Sequence, residues 1–553
     1  MNITGAELII QLLERQGVRR VAGIPGGALL PLYQALGAST RIRHILARHE
    51  QGAGFIAQGM ARISGRAGVC FATSGPGVTN LLTAIADAKL DSVPLVCITG
   101  QVPRALIGTD AFQEVKTGYL AEPITKANFI AQSAAELVDL IPEAFRIAEG
   151  GRPGPVLIDV PKDVQLERVT LLDWPAPGRG YAPPPPAPDA LAWAARLIDG
   201  AQRPVLYLGG GVVKAGAQAE ARALAERADL PTTTTLMALG TLPHGHPLAL
   251  GMLGMHGACS TNQIIDECDL LIAVGARFDD RATGRVDQFC RHAKIIHIDA
   301  DRRELGKLKT PTVGIEADAR AALQALLPQV REKPRADWRR RVDALRAERP
   351  LRQPGRDDPL RPYGLIAAVA ELAGPDAIVT TDVGQHQMWV AQAYPFARAD
   401  RWLTSGGLGT MGFGLPAAIG AALAQPDTRA VCFSGDASLL MNVQELATLA
   451  ELNLDVKIVV LDNAALGMVC QQQTMFYGDR HVGSTFARPT DLCALAQAFG
   501  VPAIDLGEAG DPRAALQKAF AVPGPCLIRV PVSAAEQVLP MVAPGAANTQ
   551  AYE

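Results

Sequence analysis

The chain has 553 residues, 48% hydrophobic and 19% charged, with a formal net charge of −3. That length predicts three or four domains of ordinary size with ample core, and the near-neutral balance excludes an electrostatic case for nucleic acid or an anionic membrane. A low aromatic share (5%) with 54 glycines points to close-packed α/β architecture, and nine cysteines without paired metal-type spacing read as reduced core residues of a cytoplasmic protein.

The opening Met1-Asn2-Ile3-Thr4-Gly5-Ala6-Glu7 has no basic region followed by an apolar stretch, so no signal peptide is expected. Strands are predicted at 68–73, 94–99 and 156–160, then at 205–208, 270–274 and 294–298, and finally at 378–381, 431–433, 456–461 and 526–530. Continuous Val/Ile/Leu runs separated by helices imply parallel sheets covered on both faces. Ligands on such sheets sit beyond the carboxyl ends of the strands. A proline-rich seam at 176–189 reads as an extended linker, and a second, dense in Arg, Asp and Pro, spans 332–359 with room for an exposed helix at Ala336–Glu348. These cuts give three doubly wound α/β domains at 1–175, 190–331 and 360–540. The uncharged stretch 402–426 is long enough to span a membrane, but six glycines and Pro416 argue for a buried loop and helix.

Three places carry chemistry. In Arg48-His49-Glu50-Gln51-Gly52-Ala53, Glu50 opens a helix rich in small residues; alone it reads as a helix-start carboxylate favoured by the macrodipole. In the middle, Gly209-Gly210-Gly211 follows one strand, Gly275-Ala276-Arg277-Phe278-Asp279-Asp280-Arg281 follows another, and Asp299 follows a third. A triple glycine alone is weak evidence for a nucleotide; with the later acid the pattern offers a phosphate turn and a partner for adenine or ribose. Near the end, one strand delivers Ser434-Gly435-Asp436-Ala437-Ser438 and the next delivers Asp462-Asn463. A carboxylate and an amide oxygen side by side suit Mg²⁺, which completes octahedral oxygen geometry with substrate phosphates.

Asp436 and Asn463 stand 27 positions apart, the spacing of the thiamine diphosphate (ThDP) signature. The chain thus resembles ThDP-dependent enzymes, and within them the large, catalytic subunit of acetohydroxyacid (acetolactate) synthase of the bacterial biosynthetic type. Runs that carry the resemblance include Pro25-Gly26-Gly27-Ala28, Ile107-Gly108-Thr109-Asp110-Ala111-Phe112-Gln113-Glu114, Pro161-Lys162-Asp163, Asp382-Val383-Gly384-Gln385-His386 and Gly407-Leu408-Gly409-Thr410-Met411-Gly412. The resemblance implies that Asp436, Asn463 and the carbonyl of Ala465 hold Mg²⁺. It places the diphosphate against Gln385, His386 and Ser438, with Gly435, Ala437, Gly467 and Met468 around the cofactor. Gly409 and Met411 would press the cofactor into a bent shape, although methionine is more often core filler. Glu50 would hydrogen-bond the aminopyrimidine ring and tune its basicity. Gln113 with Gly27 would position the ketoacid carbonyl, and Lys162 and Arg281 would take the second substrate's carboxylate. FAD would lie on Arg152, Gly209, Gly210, Gly211, Thr235, Leu236, Met237, Gly275, Arg277, Asp299 and Asp318, in a structural role.

Two positions depart from the pattern. Ala437 replaces a glycine and is small enough to leave metal binding intact. Gln472 stands where most relatives carry a tryptophan that favours 2-ketobutyrate over pyruvate as acceptor and forms part of the herbicide site. Weak or absent preference for 2-ketobutyrate and poor sulfonylurea sensitivity are therefore expected. The activity implied is decarboxylation of pyruvate and condensation of the two-carbon unit with a second 2-ketoacid, giving 2-acetolactate or 2-aceto-2-hydroxybutyrate for branched-chain amino acids. A pyruvate oxidase-type ThDP flavoenzyme and a catalytically impaired regulatory paralogue are the alternatives. A homodimer or tetramer with sites between subunits is implied, and a small regulatory subunit is compatible with it; no nucleic acid or membrane partner is expected.

Overall fold

The computed structural model describes residues 2–553. Three six-stranded sheets follow one another along the chain, and every pairing within them is parallel. The first runs Arg43–Leu46, Arg20–Gly23, Gly68–Ala72, Leu95–Gln101, Pro155–Pro161, Ala127–Ile130 from edge to edge. The third runs Trp402–Leu403, Ile378–Thr381, Ala430–Gly435, Val456–Asp462, Cys526–Pro531, Ala503–Asp505, which is the same order of connection. Between them, Ala249–Met252, Thr232–Thr234, Pro204–Leu208, Leu270–Val274, Lys294–Asp299 and Val313–Glu316 form the middle sheet.

The ten predicted strands are the central ones. Every residue of Gly68–Ala72, Leu95–Gln101, Pro155–Pro161 and Val456–Asp462 is buried, as strands covered on both faces must be. The unpredicted strands are short, and most lie at or next to sheet edges; Arg43–Leu46 and Ala127–Ile130 are only partly buried. No helix or strand occurs between Thr170 and Pro188, and the next helix, Pro188–Gly200, begins inside the predicted linker with proline in its first turn. The helix Ala336–Glu348 has the expected bounds.

The stretch 402–426 folds as expected: strand Trp402–Leu403, a glycine-rich loop, then helix Gly414–Ala424, buried in all but its last residue. Among the described residues no helix is long and apolar enough to cross a membrane. That helix and Glu50–Ser64 hold equivalent places in their two sheets and cross backbone to backbone. A Cβ on Gly59 would stand 2.2 Å from the Ala417 carbonyl oxygen, and one on Gly420 2.0 Å from that of Ile56. Phe55 and Phe413 meet edge to face beside the crossing, 5.3 Å between centroids. The crossing thus joins the first and third sheets through a shared core.

Candidate active site

Strands Ala430–Gly435 and Val456–Asp462 pair with Gly435 opposite Leu461, so Asp436 and Asp462-Asn463 leave the sheet together at its carboxyl edge. Asp436 is buried, and burial, with the Asp462 carboxylate nearby, pushes it up to about 6. Asp462 is already taken by Arg529 at 2.7 Å. Ala464 adopts φ +53, rare for a residue with a side chain, and turns the main chain between Asn463 and Ala465. The Ala465 amide donates to Asn463 Oδ1 at 3.2 Å, and Asn463 Nδ2 donates to Gln385 Oε1 at 3.3 Å.

Gln385 and His386 open the helix Gln385–Ala393 and face this edge. His386 is buried, burial drives its ring down to about 3, and its Nε2 has no partner. Glycine is required around it: a Cβ on Gly435 would come 3.0 Å from its Nδ1, and one on Gly467 2.1 Å from Gln385 Oε1. Ser438 Oγ accepts from the Gly435 amide at 3.1 Å, and Ala437 is buried. Among the described residues no three His, Cys, Asp or Glu side chains cluster to hold a metal. The donors here are instead one carboxylate, one amide and one carbonyl, a set that suits an ion finishing its shell with phosphate oxygens. A buried carboxylate without a cation, an unpartnered imidazole and a glycine cradle fit a magnesium diphosphate.

The loop carrying Gly409 and Met411 lies alongside. Asp382, buried and without a cation, accepts from the amides of Val383 (2.9 Å), Gly412 (2.7 Å) and Gly414 (3.1 Å). Gly409 and Gly412 take φ +70 and +91, which glycine alone adopts freely. A cavity of about 940 Å³ runs from this loop to the middle sheet. At the loop end Gly409, Met411, Met468, Gln472 and Arg281 line it; at the other end are Arg152, Gly210, Gly211, Thr235, Leu236, Met237, Gly275, Arg277, Asp299 and Asp318. Gly209 is not among the lining residues; its amide donates to the Val274 carbonyl, and a Cβ there would lie 2.2 Å from the Gly275 carbonyl oxygen. Arg152 is braced by Ser92 at 2.8 Å and Glu304 at 2.7 Å, and burial holds Asp299 up at about 6. Arg281 is exposed, with Asp280 at 3.6 Å.

Of the five predicted residues of the first domain, Arg152 lines that cavity and Glu50, Gln113, Gly27 and Lys162 do not. Glu50 is buried at the start of its helix, its Oε2 accepting from Asn80 Nδ2 at 2.9 Å, with Gly77 close to its other oxygen. Gln113 sits at φ +61 against Gly75, itself at φ +60, where a Cβ would come 2.9 Å from Gln113 Cα. Gly27 faces open space, and Lys162 opens the short helix Lys162–Leu166. The residues that sequence reasoning missed are Asp382, Asp87, Asp91 and Arg62, which hold the glycine loop. For Asp87 the available signal was an acid within the apolar run Ala84-Ile85-Ala86-Asp87-Ala88.

Comparison with known proteins gives a consistent answer. Residues 3–120 match the thiamine pyrophosphate enzyme N-terminal TPP binding domain, 191–326 the central domain, and 382–530 the C-terminal TPP binding domain. The chain is 58% identical over 549 residues to the acetolactate synthase isozyme 1 large subunit of Escherichia coli (strain K12), covering 99% of this chain and 97% of that protein. It is 46% identical to a probable chloroplastic acetolactate synthase 2 of Oryza sativa subsp. japonica, covering 97% and 84%. The acetolactate synthase large subunit of Parasynechococcus marenigrum (strain WH8102) is likewise 46% identical, covering 99% and 91%.

Proposed function

Because the chain belongs to the acetolactate synthase large subunits, a family of thiamine pyrophosphate enzymes, we propose a division of labour among its residues in that reaction. The protein is a ThDP-dependent acetolactate synthase acting on small 2-ketoacids, and the oxidase-type and regulatory alternatives are not favoured. When bound, ThDP supplies a nucleophilic carbon and an electron sink that allow a 2-ketoacid to lose CO₂.

Asp436, Asn463 and the Ala465 carbonyl hold Mg²⁺. Gln385, His386 and Ser438 bind the diphosphate. The carboxylate of Glu50 holds a proton at the pyrimidine ring nitrogen, and its burial strengthens that bond. Gly409 and Met411 would press against the bound cofactor from the cavity wall. Gln113 and Gly27 orient the ketoacid carbonyl, Lys162 and Arg281 grip a carboxylate, and Gln472 faces the acceptor's alkyl end. Arg152, Gly210, Gly211, Arg277 and Asp299 would hold FAD at the middle-domain end of the cavity.

Since Glu50, Gln113, Gly27 and Lys162 stand apart from the cavity holding Met411 and Arg281, a second copy supplies them and the homodimer is the smallest active unit. The observation that carries the reading is the buried, cation-free Asp436 beside the unpartnered His386 on glycine main chain. The test is purified protein with pyruvate, Mg²⁺ and ThDP, with and without FAD. Acetolactate formation that needs all the cofactors supports it, whereas oxygen or quinone consumption in its place points to the oxidase-type reaction.

A further inference from the structure

The segment 405–411, which carries Gly409 and Met411, is gripped from outside its own domain. Ser405 donates its hydroxyl to Asp87 and accepts the Thr410 amide at 2.9 Å; the Thr410 hydroxyl also donates to Asp87, at 3.0 Å. The amides of Gly406 and Gly407 donate to the two oxygens of Asp91 at 3.1 and 2.7 Å. Arg62 lies 2.8 Å from Asp91 and 3.4 Å from Asp87, and donates to the Thr404 carbonyl at 3.2 Å. All three charged side chains are buried.

The approach is close at two glycines: a Cβ on Gly407 would stand 2.8 Å from Leu90 Cβ, and one on Gly406 would meet the flexible end of Met237, 2.2 Å from its Sδ. Apolar packing would join the domains without removing three ionised groups from water, so adhesion alone does not account for the cluster. What it adds is direction, since the Ser405 and Thr410 hydroxyls and the Gly406 and Gly407 amides each point at one carboxylate.

We propose that Arg62, Asp87 and Asp91 are positioning residues for this reaction, fixing the main-chain path of 405–411 so that Gly409 and Met411 are set before any cofactor arrives. The role of Gly409 and Met411 rests on the reading above; the ordering of the segment does not.

The test uses the full chain carrying Ser405→Ala, Thr410→Val or Thr410→Ser. In cofactor-free protein, amide hydrogen exchange over 405–411 is expected to quicken about tenfold in Ser405→Ala and Thr410→Val, with strand Ala430–Gly435 still protected. In loaded protein, kcat should fall by about tenfold at constant KM for pyruvate. Thr410→Ser, which keeps the hydroxyl, should behave as the wild type. Unchanged exchange, protection lost throughout the chain, or faster exchange with kcat intact would each overturn the proposal. A wild-type protein that makes no acetolactate would instead sink the reading beneath it.

Discussion

Replacing Gln472 with tryptophan should create a preference that the natural chain lacks. Gln472 is half-buried on the helix Gly467–Phe476, one turn after Met468 and on the same face, and both line the cavity that Arg281 also reaches. The acceptors pyruvate and 2-ketobutyrate differ by one methylene. Against a polar amide open to solvent, that methylene gains little, and the natural protein should discriminate by less than about tenfold. Against an indole it would be buried on an apolar face, worth about 1–3 kcal/mol, or roughly 10–200-fold in kcat/KM. The assay is competition: both ketoacids together, with the ratio of 2-aceto-2-hydroxybutyrate to 2-acetolactate corrected for their concentrations. Gln472→Trp should raise that ratio by at least about tenfold with pyruvate self-condensation retained. A natural protein already strongly biased toward 2-ketobutyrate, or a variant with an unmoved ratio, would refute the argument that this side chain sets acceptor choice.

Three further outcomes are expected. Asp382→Asn retains one acceptor oxygen where three amides now donate, so at least one buried amide loses its partner, costing about 1–3 kcal/mol in denaturant unfolding and weakening ThDP binding; unchanged stability would contradict its anchoring role. Asp159 is held at about 7 by burial, despite donors from Thr99 at 2.7 Å and Gln101 at 2.9 Å. A raised acid stabilises the fold fully below its ordinary value near 4 and loses that contribution as pH rises through 7, a span worth roughly 4 kcal/mol. Asp159→Asn should therefore flatten the fall in stability between pH 4 and 7, which unfolding curves across that range would check. Finally, mixing inactive Glu50→Gln and Asp436→Asn subunits under exchange conditions should restore about a quarter of wild-type activity, because half the dimers then carry one intact site; no recovery would place both residues in a single-chain site.

The sequence made some of this plain and hid the rest for physical reasons. Central strands such as Val456–Asp462 were legible because burial on both faces writes a continuous apolar run. Edge strands such as Arg43–Leu46 were not, because one side meets solvent and their composition is mixed. Asp436 and Asn463 could be paired because both sit just beyond adjacent strands, where spacing along the chain fixes spacing in space. Asp87 and Asp91 could not be paired with Ser405 and Gly407, since that contact joins residues more than 300 positions apart through the docking of two domains. Glu50 illustrates a third case: its burial and its bond to Asn80 were hidden, yet its place at a helix start among small residues was readable.

Everything functional depends on the carboxyl edge of the third sheet taking up a metal-bridged diphosphate. Calorimetric titration of ThDP into metal-stripped protein, with and without Mg²⁺, measures this directly. Uptake is expected only when Mg²⁺ is present, and should be lost in Asp436→Asn. Equal affinity in the absence of the metal, or none in its presence, would contradict it.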